Sequence, residues 1–491
     1  MPLPLGFQHS YRALPARFYA ALPPTPVREP RLVAFNRPLA RDLGLDPEAV
    51  EAHAAEMFSG NRLPPDASPL ALAYAGHQFG HFVPQLGDGR AILLGELVDA
   101  SGVPRDLQLK GSGRTPFSRG GDGRAALGPV LREYLVSEAM HALGIPTTRA
   151  LAAVLTGEPV FRDDALPGAV LTRVAASHVR VGTFQFFAAR GDTEGLRALA
   201  EWVIARHYPE AAQADNPALA LLAAVCECQA SLVARWMMVG FVHGVMNTDN
   251  TAISGETIDY GPCAFMDAYH PETVFSSIDH QGRYAFANQP GIAQWNLTRL
   301  AECLLPLIDP DADRAVSLAT EVIEAFAERF QRHWTHGMRA KLGLATEEEG
   351  DAALASELLE LLQGAQADYT LAFRRLCDAA EDTRSQAPLL RMFGDAAPLE
   401  QWLVRWRDRL SRDTRYPAAR AAAMRSANPA VIPRNHRVEA ALQAAVAEGD
   451  MAPFFELFEV LQSPWALAPG REPYGDPPPS GGGRYRTFCG T

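Results

Sequence analysis

The 491-residue sequence is poor in cysteine and has no surplus of positive charge. Its six cysteines follow no regular spacing, which excludes a disulfide-rich scaffold and a zinc module built on paired cysteines. Acidic residues number 57 and basic residues 45, and the net charge of −12 argues against a protein that binds nucleic acid by neutralising phosphates. No uninterrupted apolar run approaches the ~20 residues of a membrane-spanning helix. We therefore expect neither nucleic acid nor a membrane among the partners.

Hydrophobic residues make up 47% of the chain, which is ample for a large buried core. The length suggests two to four structural units at about 100–200 residues each. The N-terminal sequence MPLPLGFQHSYRALPARF lacks the charged-then-apolar pattern of a secretory signal. We therefore expect a cytoplasmic protein; because this stretch carries arginine and no acidic residue, a transit peptide is the alternative.

The region from Tyr74 to residue 174 has the glycine-punctuated pattern of a mixed α/β unit. The turn Gly87-Asp88-Gly89 between two apolar runs predicts a β-hairpin. A glycine-rich loop, GSGRTPFSRGGDGR, separates the next strand from a helix with apolar residues at helical spacing. The predicted strands cover residues 81–86, 90–98, 105–110, 150–155 and 169–174, and the helix covers residues 125–143.

Beyond Gly191 the chain is predicted to be mostly helical. A long helix over residues 217–239 runs into a polar loop, FVHGVMNTDN, and two short strands are predicted at residues 251–254 and 256–259. The last residues are rich in proline and glycine, including PPPSGGG, which predicts a flexible tail.

The chemically suggestive residues occur in the order found in protein kinases. Lys110 ends a strand, a helix with Glu133 and Glu138 follows, and Asn250 and Asp259 come after the long helix. In kinases a strand lysine contacts phosphates and pairs with a helix glutamate, while an Asn and the Asp of an Asp-aromatic-Gly triplet hold the metal. Oxygen ligands suit a hard metal ion, and a lysine suits phosphate. The order therefore predicts a nucleotide site, with either glutamate as the lysine's partner.

One kinase part is missing from this order. A kinase has a catalytic aspartate about five residues before the metal-binding asparagine, and this sequence has Val245 there. Valine cannot accept a proton from a substrate hydroxyl, and Asp249 is the only acid in the loop. Either the protein binds nucleotide without catalysis, or Asp249 serves a different chemistry.

Long stretches of the chain resemble the selenoprotein O family of pseudokinases, from about Ser10 to the C-terminus. The matching stretches are YAGHQFGHFVPQLGDGRAILLGE, LKGSGRTPFSRGGDGRAAL, LREYLVSEAMHALGIPTTRAL, GFVHGVMNTDN, DYGPCAFMD and DHQGRYAFANQP. The resemblance implies an α/β (α+β) fold of the bilobal protein-kinase type, with a mixed α/β N-lobe and a large, mostly helical C-lobe. It also implies ATP bound in a flipped orientation and transfer of AMP to Ser, Thr or Tyr hydroxyls of proteins, with release of pyrophosphate. Some members are reported to transfer UMP with manganese.

The resemblance also implies a role for each matching residue. It makes Asp249 the proton acceptor, Lys110 a phosphate contact and Glu133, rather than Glu138, the partner of Lys110. Asn250 and Asp259 would bind Mg²⁺ or Mn²⁺. The implied nucleotide-binding residues are Gly87, Gly89, Arg90, Lys110, Asp122, Gly123, Arg173, Arg180 and Asp259.

We expect four regions in a monomer that acts on protein substrates. Residues 1–70 form an extension packed on the N-lobe, 71–190 the N-lobe, 191–462 the helical C-lobe with the catalytic loop, and 463–491 the tail. Two alternatives remain. One is a small-molecule phosphotransferase, which Val245 at the base position disfavours. The other is a non-catalytic nucleotide-binding scaffold, which the full set of metal ligands disfavours.

Cys489 occupies the position at which family members carry cysteine or selenocysteine. Some bacterial members pair it with a cysteine in the activation segment, but the corresponding stretch here, PETVFSSIDHQGRY, has none. Cys263 is the nearest candidate and is out of register. We therefore do not predict redox control through an intramolecular disulfide.

Overall fold

An antiparallel sheet organises the N-terminal part of the chain in the computed structural model, which describes residues 3–479 and 485–487. Its path runs β1-β3-β6-β7-β10-β9-β2, with β8 paired to β10; two small two-stranded sheets are formed by β4-β5 and β11-β12. The strands are β1 (Tyr19–Ala21), β2 (Arg31–Phe35), β3 (Leu70–Leu72), β4 (Gly76–Gln78), β5 (His81–Val83), β6 (Ala91–Val98), β7 (Pro104–Lys110), β8 (Ala125–Ala126), β9 (Arg149–Phe161), β10 (Ala165–Ala175), β11 (Phe241–Val242) and β12 (Ala264–Phe265).

Helices make up most of the chain after β10. The α-helices are α1 (Arg37–Asp42), α2 (Pro47–Glu51), α3 (Ala54–Phe58), α4 (Leu127–Ala142), α5 (Val181–Ala188), α6 (Thr193–His207), α7 (Pro217–Met238), α8 (Gln289–Ile308), α9 (Ala312–Glu324), α10 (Phe326–Leu342), α11 (Asp351–Ala365), α12 (Tyr369–Glu381), α13 (Ala387–Leu390), α14 (Ala397–Leu410), α15 (Pro417–Arg425), α16 (Asn435–Gln443) and α17 (Ala452–Leu461). Short 3-10 turns occupy Tyr11–Ala13, Ala16–Phe18, Pro209–Gln213, Thr248–Asn250, Phe286–Asn288, Thr383–Gln386 and Glu472–Tyr474, and Ala444–Glu448 is a π-helical turn.

The predicted hairpin around Gly87-Asp88-Gly89 is wrong. Strand β5 pairs with β4, whereas β6 pairs with β7 and β3. The Asp88 carboxylate is buried and accepts hydrogen bonds from the Leu72 backbone N–H (3.1 Å) and from Gln108 Nε2 (3.1 Å). These bonds fold the Gly87–Gly89 loop back onto the sheet, because a buried carboxylate must find donors.

The two short strands predicted after the polar loop are also wrong. Residues 251–254 and 256–259 do not pair with each other; Ala252 makes a single bridge to Arg180 and Thr257 one to Thr147. The long helices agree closely with prediction: α4 begins two residues late because Ala125–Ala126 pairs with β10 as β8, and α7 ends one residue before the predicted boundary.

Residues 3–70 are integral to the sheet. Strands β1 and β2 form its two ends, and helices α1, α2 and α3 pack their apolar side chains against the face of β6, β7, β9 and β10. At the other end of the chain, α16 and α17 pack on α4, where Phe454 contacts Tyr134. The described residues thus form a mixed α/β structure with an antiparallel sheet; its division into two kinase-type lobes remains a prediction.

Helix α7 is the centre of the largest hydrophobic core. Asn216 caps its first turn by accepting from the Leu219 N–H, and Pro217 stands at a position where no N–H is needed. By length and composition α7 could cross a membrane, but 56% of its most apolar stretch is buried inside the protein. It packs against α8, α9 and α10, and buried core helices can be as long and as apolar as a membrane-spanning helix.

Candidate active site

A cavity of about 470 Å³ lies between the sheet, α4, the glycine-rich loop of residues 111–124 and the polar loop that follows β11. The structure brings every residue of the predicted site to its wall. The predicted residues that line it are Gly87, Gly89, Arg90, Lys110, Asp122, Gly123, Glu133, Arg173, Arg180, Asp249, Asn250 and Asp259.

A cluster of ion pairs lies at the centre of the cavity wall. Lys110 Nζ is 2.6 Å from Glu133 Oε2 and 2.8 Å from Asp259 Oδ1. Arg173 Nη2 is 2.6 Å from Glu133 Oε1 and 2.6 Å from Asp259 Oδ1. The strands explain this meeting: Lys110 on β7 faces Leu171 on β10, and Arg173, two residues further along β10, projects from the same face.

Glu133, and not Glu138, is the partner of Lys110. Glu138 lies fully buried on another face of α4, where its carboxylate accepts from Arg149 (2.8 Å) and from Asn36 Nδ2 (2.8 Å). The five-residue separation places the two carboxylates on different helix faces. Only Glu133 therefore reaches the cavity.

Asp259 is held in an unusual conformation by three cations. Its φ of +64° is left-handed, which is uncommon for a residue with a side chain. Arg180 Nη1 adds a third contact, 3.5 Å from Asp259 Oδ2. Burial raises the pKa of Asp259, but Arg173, Lys110 and Arg180 outweigh burial and hold this pKa well below its usual range.

The ionised cluster carries a net positive charge. Lys110, Arg173 and Arg180 supply three positive charges against two negative charges on Glu133 and Asp259, so 3 − 2 = +1. The guanidinium of Arg180 also lies 4.4 Å from the centre of the Tyr74 ring, which fixes its plane. A buried cationic centre of this kind attracts an anion such as a phosphate.

Asp249 has a different environment from Asp259. It lies in the 3-10 turn Thr248–Asn250 and is 7% exposed; its Oδ2 accepts from Gln78 Nε2 at 3.1 Å. Its Oδ1 is buried and has no hydrogen-bond partner among the described residues. Burial raises the pKa of Asp249 to about 6, and Arg180 counteracts burial only partly, since it donates to the Asp249 backbone carbonyl (3.0 Å).

The neighbouring Asn250 faces the cavity with an oriented amide. Its Nδ2 donates to the Val245 carbonyl at 3.0 Å, which leaves its Oδ1 available. Within residues 3–479 and 485–487, no group of three or more His, Cys, Asp or Glu side chains is arranged to hold a metal ion. Asn250 and Asp259 together offer two protein oxygen ligands, which is few for a metal unless a substrate supplies more.

Sequence reasoning missed several residues of the cavity wall. Gln78 lies on β4, which was not among the predicted strands, so nothing indicated that it meets Asp249. Arg162, which also lines the cavity, makes two bonds to Asp122, from Nη1 to Oδ2 (2.8 Å) and from Nη2 to Oδ1 (3.2 Å). Arg124 fastens the glycine-rich loop by donating to the Thr25 carbonyl at 3.1 Å.

Of the two cysteines singled out in the sequence, the structure describes Cys263. Cys263 is fully buried, and burial raises the pKa of its thiol to about 11, as expected of an unreactive thiol. Cys489 lies outside the described residues.

Comparison with known proteins identifies the class of enzyme. A 63% identical relative, over 99% of this chain and 97% of its own length, is protein nucleotidyltransferase YdiU of Rhizobium etli (strain CIAT 652). Another, 62% identical over the full length of both chains, is protein nucleotidyltransferase YdiU of Rhodopseudomonas palustris (strain BisB5). The chain is therefore a nucleotidyltransferase, which uses a nucleotide substrate.

The family can also be stated. The family described as protein adenylyltransferase SelO matches residues 2–462, nearly the whole chain. The protein belongs to this family, as the resemblance of its motifs indicated.

Proposed function

We propose that the protein transfers AMP from ATP to Ser, Thr or Tyr hydroxyls of proteins and releases pyrophosphate. UMP transfer from UTP is the variant of the same reaction. One observation carries the proposal: Asp249 lines the same cavity as the cationic cluster, whereas the kinase base position holds Val245. An acid at residue 249 suits attack at a phosphorus that lies differently from the γ-phosphorus of a kinase, which fits a flipped ATP.

The proposed reaction forms one bond and breaks one. The acceptor hydroxyl oxygen bonds to the α-phosphorus, its proton passes to the carboxylate of Asp249, and the bond from the α-phosphorus to the bridging oxygen of pyrophosphate breaks. A base is needed within hydrogen-bond reach of the hydroxyl. The elevated pKa of Asp249 suits this role, because a base whose pKa lies just below the working pH is still deprotonated and is as basic as that condition allows.

The cationic cluster would stabilise the leaving group. Negative charge grows on pyrophosphate as the bond breaks, and guanidinium groups fixed in a buried wall stabilise such charge without having to reorganise. Arg173 and Arg180 are 2% and 3% exposed, so their side chains are already ordered. Lys110, held by Glu133, would contact a phosphate beside them.

The proposed metal ion is Mg²⁺ or Mn²⁺, held by Asn250 and Asp259. The chemistry of these two oxygen donors fits a hard cation whose remaining ligands are phosphate oxygens and water. When bound, such an ion neutralises phosphate charge. Before that, Asp259 must release Lys110 and Arg173, which now occupy its Oδ1.

We further propose the kinase-type bilobal arrangement, with the sheet and α4 as one lobe and the helices of residues 191–462, from α6 to α17, as the other. The cavity lies where strand residues such as Lys110 meet loop residues such as Asp249, which supports a nucleotide site between the lobes. A monomer in the cytoplasm that acts on other proteins is the simplest form of this enzyme.

The test uses ATP labelled at either the α- or the γ-phosphate. The purified protein is incubated with each label and a mixture of candidate acceptor proteins, with Mg²⁺ or Mn²⁺. We expect label from the α-phosphate alone on protein, lost in Asp259→Ala and Asp249→Ala and retained in Asp215→Asn, a variant at an exposed aspartate away from the cavity. Transfer from the γ-phosphate would refute the proposal, as would full activity in Asp249→Ala.

A further inference from the structure

The hairpin formed by β4 and β5 packs against the catalytic turn, by which we mean the 3-10 turn Thr248–Asn250 that carries the proposed base Asp249. Three successive residues of the hairpin bond to three successive residues of the turn region. The His77 N–H donates to Thr248 Oγ1 at 2.6 Å, and the Phe79 N–H donates to Asn247 Oδ1 at 3.1 Å. Between them, Gln78 directs its side chain into the cavity.

Gln78 holds Asp249 from the side of the cavity. Its Nε2 donates to Asp249 Oδ2 at 3.1 Å, and among the described residues no other side chain donates to this carboxylate. The guanidinium of Arg180 donates to the backbone carbonyl of Asp249 and not to its carboxylate. The rotamer of Asp249 therefore depends on one neutral amide, which leaves lone pairs on both carboxylate oxygens free for a further proton.

The backbone around Gln78 cannot easily move. Asn247 accepts a second bond, from the Tyr284 hydroxyl at 2.6 Å, and the Phe79 and Tyr284 rings pack 5.0 Å apart. On the other side, Gln185 bonds to His77 Nδ1 at 2.8 Å. Because the residues before and after it are both fixed, the amide of Gln78 is presented to Asp249 from a rigid support.

A close approach on the opposite side completes the confinement of Asp249. A Cβ atom added at Gly76 would lie 2.7 Å from Asp249 Oδ1. Glycine at 76 therefore leaves just enough room for the carboxylate, which is enclosed between the start of β4 and the side chain of Gln78. Of the charged and titratable groups around it, Arg180, Asp259, Tyr74 and Tyr284 face Asp249 without donating to its carboxylate.

We propose that Gln78 is a positioning residue for nucleotidyl transfer, which holds the Asp249 carboxylate in the orientation that receives the proton of the acceptor hydroxyl. This inference rests on the proposed function, since it takes Asp249 as the base. It assigns no direct contact with ATP to Gln78. The β4–β5 hairpin, which the sequence pattern did not predict, is thereby part of the transfer machinery.

The test separates turnover from ATP binding in Gln78→Leu and Gln78→Met. Both variants remove the donor without adding a charge to the cavity, and Gln78→Met keeps the length of the side chain. We expect kcat for α-phosphate transfer to fall about 10- to 100-fold, the range for a lost hydrogen bond to a charged group. The KM and Kd for ATP should stay within about twofold, and the thermal midpoint should match wild type. Gln213→Leu, at an exposed glutamine, is the matched control.

A double-mutant comparison decides whether Gln78 acts through Asp249. If it does, Asp249→Ala/Gln78→Leu has the same residual rate as Asp249→Ala alone, because the residue to be positioned is gone. The inference is overturned if the double mutant loses kcat by the product of the two single-mutant factors. It is also overturned if the Gln78 variants keep the kcat of wild type or are impaired only in KM. An inactive wild type overturns the proposed function and this inference with it, whereas an active wild type with unaffected Gln78 variants overturns this inference alone.

Discussion

Replacing Asp259 by asparagine should strengthen the binding of metal-free ATP while it abolishes transfer. The substitution keeps the shape of the side chain and removes one negative charge from the centre of the cavity. Lys110 and Arg173, now 2.8 and 2.6 Å from Asp259 Oδ1, would retain only Glu133 as an anionic partner. The cluster changes from 3 − 2 = +1 to 3 − 1 = +2, and this extra charge is available to phosphate.

The size of the effect follows from the distances. At an effective dielectric constant of about 20, each pair of unit charges at this separation attracts by about 6 kcal/mol. ATP must displace the Asp259 carboxylate from both cations, and the new phosphate contacts replace most of what is lost. Breaking the Asp259 contacts therefore costs ATP binding a net free energy of about 1–2 kcal/mol. The asparagine variant has no carboxylate to displace, so it should bind metal-free ATP roughly 5- to 30-fold more tightly.

The assay is calorimetric titration of ATP into the protein in the presence of EDTA, repeated with Mg²⁺. Wild type and Asp215→Asn should bind metal-free ATP alike, and Asp259→Asn should bind it more tightly. With Mg²⁺ the advantage should shrink, since wild type offers the metal an anionic carboxylate where the variant offers only a neutral amide oxygen, and transfer should fall at least about 100-fold. Weaker binding of metal-free ATP by Asp259→Asn would show that the carboxylate does not compete with phosphate for these cations.

Three further changes have defined outcomes. Gly87→Ala should raise the KM for ATP and lower the midpoint of unfolding, because Gly87 has a φ of +71° and a Cβ there would collide with the Phe117 ring; unaltered values would contradict this. The kcat of wild type should fall about tenfold per pH unit below about pH 6, because burial raises the pKa of Asp249 to about 6 and a base must be deprotonated; a flat profile to pH 5 would exclude Asp249 as the base. Lys341→Met should raise the free energy of unfolding at pH 7 by roughly 4 kcal/mol in urea titrations, because burial lowers the pKa of Lys341 from 10.5 to about 7 and each pKa unit corresponds to about 1.4 kcal/mol. Since the unfolded chain keeps this proton up to about pH 10, wild-type stability should rise relative to the variant between pH 7 and 10.

The candidate site could be predicted from the sequence because its parts lie on elements with strong local signals. Lys110 ends an alternating strand and Glu133 belongs to a helix with clear apolar spacing, so both elements were placed correctly. The motif order then indicated that Asn250 and Asp259 meet them. The cavity contains all of these residues, although their roles in catalysis remain proposals.

The pairing of β4 with β5 could not be predicted, because a tertiary contact overrides the local pattern. Asp88 in a Gly-Asp-Gly sequence is typical of a tight hairpin turn. The carboxylate instead bonds to Leu72 and Gln108, which are distant from it in sequence. The preceding strand is thereby free to pair with residues 76–78 and to contact the catalytic turn, and no local signal carries that information.

The short segments after Asn250 show the same limit in another form. Their apolar residues suggested two strands, yet Ala252 and Thr257 each make one bridge to separate parts of the chain. These two bridges hold both ends of the loop between Ala252 and Thr257. Asp259 follows two residues after the second bridge. Attachments of single residues leave no periodic pattern in a sequence.

The geometry around Asp259 predicts that nucleotide binding and metal binding are coupled. Its left-handed backbone conformation costs of order 1–3 kcal/mol and is maintained by the bonds to Lys110 and Arg173. Just beyond it, the Gly261 and Cys263 carbonyls accept from Arg132 on α4, so the chain that follows stays fixed when the carboxylate is released. When a phosphate binds Lys110 and Arg173, the Asp259 carboxylate therefore loses both partners but stays close to the phosphate. The proposed metal ion would satisfy both the carboxylate and the phosphate, so ATP without a metal should bind weakly to the wild type and the two together should bind cooperatively.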